Sequence, residues 1–76
     1  MNKTRIATLN KILNAITELK DELETVKDNE EEAMENLPES LQESDRYLAM
    51  EEAVDNMDNA IDELDDVISY LESAME

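Results

Sequence analysis

The chain is 76 residues long, with 22 acidic and 6 basic residues for a formal net charge of -16, one Pro, and no Gly, Cys, His or Trp. That length allows a single small domain, residues 1–76. The absence of Gly excludes folds that rest on tight hairpins, phosphate-cradling loops or bulged strands, which leaves an all-α class of long helices.

The first helix is expected over about residues 3–35, capped by Asn2 or Thr4. Its apolar residues Leu9, Ile12, Ile16, Leu19, Leu23 and Val26 alternate in steps of 3 and 4, the spacing of one helix face. Ile6 and Leu13 widen this seam on one side, and Lys20 and Lys27 occupy the same flank further on. Beyond Val26 the seam meets Glu30 and continues only through Ala33, Met34 and Leu37.

Charge runs against the helix dipole here. Residues 1–17 hold Lys3, Arg5 and Lys11 and no acid, and the acids follow downstream, whereas the dipole favours acids at a helix start. Two readings account for the basic start. It lies beside the acids at the far end of the second helix, or it receives an anionic ligand.

The connection, about residues 36–43, contains Pro38, which removes a helical hydrogen bond and clashes one turn back, so the first helix ends before it. Ser40 with Glu43 has capping-box spacing, and Ser44 before Asp45 offers a second cap, so a short helical turn is expected near 39–42. Leu37 and Leu41 either plug the open end of a bundle or form an exposed contact.

The second helix is expected over about 44–75. Its seam runs without a slip through Tyr47, Met50, Val54, Met57, Ile61, Leu64, Ile68, Leu71 and Met75. The first position of each heptad is mostly β-branched and the fourth is Met or Leu, as in helix-packing seams. Ala53, Ala60, Val67 and Ala74 each precede a first-position seam residue and broaden the apolar stripe beyond what one partner helix covers. The expected architecture is therefore an antiparallel, coiled-coil-like two-helix hairpin that assembles into a four-helix bundle or larger homo-oligomer, a dimer or higher.

Catalysis is not expected. With no His or Cys, a nucleophile would have to be Ser, Thr or Lys, and none has a base at a recognisable spacing. The sequence offers no thiolate or imidazole metal ligands, no Gly-containing EF-hand loop and no Glu-x-x-His motif, so neither a metal nor another cofactor is expected. Glu30, Glu31 and Glu32, like the acids from Asp62 to Asp66, read as solvated helix faces. No apolar run approaches the ~20 residues of a membrane span, and the expected location is cytoplasmic.

Binding remains. Residues 39–76 carry thirteen acids and one base, Arg46. Direct nucleic-acid binding is disfavoured, because it needs clustered Lys and Arg. The acids Asp55, Asp58, Asp62, Glu63, Asp65 and Asp66 are candidates for engaging a basic host protein, as a mimic of nucleic-acid phosphates. A small anionic nucleotide is the alternative ligand, with Lys3, Arg5 and Lys11 on phosphate and Arg46 beside Tyr47 supplying a charge and a stacking ring. The third reading is a scaffold whose sole task is helix pairing.

The run Asn36-Leu37-Pro38-Glu39-Ser40-Leu41-Gln42-Glu43-Ser44, followed by Met50-Glu51-Glu52-Ala53-Val54-Asp55-Asn56 and Ala60-Ile61-Asp62, resembles small acidic helical proteins of Firmicutes phages and prophages. The resemblance covers roughly residues 30–75. It implies a bacterial host and a setting where small helical proteins inhibit host defences stoichiometrically, some as DNA mimics and others as nucleotide sponges. It carries no functional residue onto this chain.

Overall fold

A computed structural model describes all of residues 1–76 and contains two long helices. Helix α1 spans Lys3–Glu35, a 3-10 turn spans Glu39–Leu41, and helix α2 spans Asp45–Ala74. The two helices pack antiparallel into a rod of 59 × 15 × 13 Å.

Local chemistry sets the ends. Asn2 caps α1, its Oδ1 accepting from the Arg5 N–H at 2.8 Å. Of the two caps offered for α2, Ser44 is the one used, its Oγ accepting from the Tyr47 N–H at 3.3 Å. Pro38 stands directly before the 3-10 turn, with φ at -56°, an angle its ring imposes. The Gln42 side chain donates to the Leu37 carbonyl and the Ser44 hydroxyl to that of Leu41, which ties the connection down. Leu37 is half-buried and Leu41 exposed, so the two residues do not share one role. α1 has no acid in its first turn and no base in its last, so it opposes its own dipole at both ends.

The core is thin. Val54 and Ile61, both in the α2 seam, are the only buried residues, each 8% exposed. The rest of that seam, from Tyr47 to Met75, is half-buried, as the spacing requires.

On α1 the structure divides the expected seam. Leu9, Ile16 and Leu23 face α2 and are half-buried, whereas Ile12, Leu19 and Val26 are 43%, 59% and 55% exposed. The residues that alternate with Leu9, Ile16 and Leu23 against α2 are Ile6, Leu13, Lys20, Lys27 and Met34, all half-buried. Glu30 and Leu37 complete this series, which keeps the 3,4 rhythm throughout. Two lysines thus occupy seam positions where large apolar residues were expected, and three large apolar residues lie on the flank.

Two lysines mark the register. The Lys27 ammonium donates to Asp58 Oδ1 at 2.9 Å, and Lys20 pairs in the same way with Asp65. Seven residues up α1 correspond to seven residues down α2, so Leu19 lies at the level of Val67 and Val26 at the level of Ala60. Each lysine also reaches an acid one turn further along its own helix, Glu24 at 3.7 Å and Glu31 at 4.0 Å.

Candidate functional site: two unlike faces of the hairpin

The seam divides the hairpin lengthwise. In an antiparallel helix pair, equivalent heptad positions of the two helices fall on the same side of the plane containing both axes. Numbering the seam a and d, the e and b rows share one side and the g and c rows the other.

The e and b side is acidic. From α1 it carries Asp21, Glu24, Asp28, Glu31 and Glu35, and from α2 Glu51, Asp55, Asp58, Asp62, Asp65 and Glu72. Lys3 at one end is its only base apart from the lysines reaching from the seam. Both lysines titrate above their ordinary value of 10.5, chiefly because Asp65 and Asp58 accept hydrogen bonds from the charged ammonium groups. Nearby carboxylates add to this effect, and partial burial of the lysines works against it.

The expected acidic residues therefore have unequal roles. Asp58 and Asp65 are committed to ion pairs within the chain. Asp55 and Asp62 stand one row further out and are exposed, and Asp66 lies on the outer edge of α2. Glu63 falls in the c row, on the opposite side. Glu51 and Glu72 were not among the expected residues, although Glu51, Asp58, Asp65 and Glu72 recur every seven residues and form a row beside the seam. No group of three carboxylates converges tightly enough to hold a metal ion.

The g and c side is apolar and nearly uncharged. Ile12, Leu19, Val26 and Ala33 line the α1 half, and Ala53, Ala60, Val67 and Ala74 the α2 half. Tyr70, 76% exposed, stands in the c row of α2. The charges of these rows are Arg5, Arg46, Glu22 and Glu63, two of each sign. A chain of net charge -16 thus carries one face that is neutral.

The candidate anion-binding residues do not converge within one hairpin. Lys3, Arg5 and Lys11 lie near the start of α1, while Arg46 and Tyr47 begin α2 at the other end of a rod 59 Å long. Nor does the basic start of α1 form ion pairs with the acids near the end of α2; the pairs between the helices belong to Lys20 and Lys27. A shallow groove of about 340 Å³ at the start of α1 is lined by Met1, Thr4, Arg5, Thr8 and Leu9, with Arg5 its single basic side chain.

No family model, curated protein or solved structure matches this chain. The two unlike faces are therefore the basis for a functional reading. No helix is long and apolar enough to cross a membrane.

Proposed function

We propose that this chain is a non-enzymatic, phage-type interaction protein, a homo-oligomer of helical hairpins that inhibits a basic host protein stoichiometrically through its acidic side, as a nucleic-acid mimic. The observation that carries this reading is the segregation of charge. Eleven acids occupy the e and b rows, while the opposite face is neutral.

Charge density supports the same reading. Sixteen net negative charges along 59 Å amount to one per roughly 4 Å, close to the ~3.4 Å spacing of charge on one DNA strand. A cleft built to displace counterions from phosphates would meet on this rod a charge close to that of one strand, about half that of a duplex at ~1.7 Å per charge.

The test is competition. Labelled duplex DNA is bound to members of a panel of basic bacterial DNA-binding proteins, and the hairpin is titrated in while anisotropy is followed. The expected result is release of DNA from at least one panel member, weakening as salt rises. Replacing Asp55, Asp62 and Asp66 together by Asn reduces that release. Absence of displacement from every panel member contradicts the reading.

A second reading, an oligomeric sponge for a small anionic nucleotide, draws on the groove beside Arg5. It requires a neighbouring copy to bring Arg46 and Tyr47 to the basic start of α1. Calorimetric titration with a nucleotide panel separates it from the first, since a phosphate mimic binds none of them. A pure scaffold is the third reading, and it predicts neither DNA release nor nucleotide heat.

A further inference from the structure

We infer that the neutral face carrying Ile12, Leu19 and Val26 is the docking surface for a second copy of this chain, giving a four-helix dimer with both acidic sides turned outward. The inference rests on the oligomeric part of the reading above and names the surface that would carry it.

Shape favours a copy of the same chain. Across this face α1 presents large side chains every seven residues, Ile12, Leu19 and Val26, whereas the g row of α2 presents Ala53, Ala60 and Ala74 with Val67, and Tyr70 stands beside that row in the c row. A ridge and a shallow trough run side by side. Under a two-fold axis parallel to the rod the ridge of one copy lies over the trough of the other, and the reverse, so the surface is complementary to itself.

Charge favours the same face and rejects the opposite one. Pairing through the e and b rows would set eleven acids of one copy against eleven of the next. Pairing through the g and c rows brings together only Arg5, Arg46, Glu22 and Glu63 from each copy, with no net charge.

Size is compatible with this. The outline of one side of the rod, 59 × 15 Å, encloses roughly 900 Å², of the order of the ~800 Å² of accessible surface that each partner buries in a stable specific interface. The isolated hairpin exposes 5752 Å², whereas a compact folded chain of 8.7 kDa exposes roughly 4,700 Å², so its surface excess is about one such interface.

The experiment measures solution mass by sedimentation equilibrium for the native chain, the double variant Leu19→Glu/Val26→Glu, and Leu48→Glu. Leu48 is as exposed as Val26 but lies on the acidic side, which makes it the control. The expected masses are twice 8.7 kDa for the native chain and for Leu48→Glu, and 8.7 kDa for the double variant. Weakening of the dimer by the double variant should be at least roughly a hundredfold. A native chain of single mass overturns the oligomeric reading itself. A native dimer that the double variant leaves intact overturns only the choice of face.

A second measurement does not depend on the folding of a dissociated variant. Because the chain has no cysteine, Asn29→Cys, at the edge of the neutral face, and Leu48→Cys each give one labelling site, and nitroxide pairs between copies report distance. The Asn29→Cys label is expected to give the shorter distance between copies; a shorter distance from Leu48→Cys contradicts the assignment.

Discussion

Lys27 donates to Asp58 across the helix pair at 2.9 Å from a position in the α1 seam, where an apolar side chain would ordinarily stand. Its aliphatic stem lies over the seam while its ammonium reaches the acidic side. Lys20 repeats the arrangement two turns earlier with Asp65. A polar residue at such a seam position ordinarily specifies register at a cost in stability, and the two lysines occupy positions suited to that role.

Replacing both lysines by Leu should therefore raise the thermal midpoint by several degrees while loosening the choice of register. Circular dichroism melts report the first effect, and the distance distribution between labels at one end of α1 and the facing end of α2 reports the second. A single narrow distance in the variant would show that register is set elsewhere.

The same pairs predict an alkaline limit. Both lysines titrate above 10.5 in the folded chain, so their contribution is fully present below about 10.5 and is lost as pH rises through the raised folded values. The melting midpoint should fall in that alkaline range, and the double replacement by Met should flatten that fall. An equal decline in both proteins would mean that the ion pairs do not control it.

The thin core predicts a steep gradient of sensitivity. Ile61→Ala should destabilise by about 2–4 kcal/mol, because it removes buried methylenes where the seam is tightest. Leu48→Ala should lie within about 0.5 kcal/mol of the native chain. Urea midpoints at one protein concentration compare them, since mass action shifts the stability of any oligomer. Similar midpoints for the two variants would mean that Ile61 is not the centre of the packing.

Ser44 starts α2 through its bond to the Tyr47 N–H. Ser44→Ala should cost about 1 kcal/mol, while Ser40→Ala should cost little, because Ser40 caps no helix here. The difference between the two midpoints decides between the caps that the sequence offers.

Much of this fold is legible in the sequence. Pro38 locates the break, Asn2 and Ser44 locate the starts, and the unbroken α2 series from Tyr47 to Met75 names Val54 and Ile61 as seam residues. On α1 two interleaved series share Leu9, Ile16 and Leu23, one completed by Ile12, Leu19 and Val26 and the other by Leu13, Lys20 and Lys27. Hydropathy alone selects the first. The structure follows the second, in which Asp58 and Asp65 stand where the lysine ammonium groups can reach them, and that information lies on the other helix. The candidate acids were legible as a group, but their division into ion-paired and free members required the register. The neutral face was visible on α2 as the Ala row; its α1 half was concealed among residues expected in the seam.

Whether a second copy closes the neutral face is tested most directly by solution mass. Light scattering on the native chain, carried over a wide concentration range at moderate salt, should give twice the 8.7 kDa chain mass and fall toward the single mass only on strong dilution. A mass of one chain at every concentration would contradict it and leave Ile12, Leu19 and Val26 as an open apolar surface.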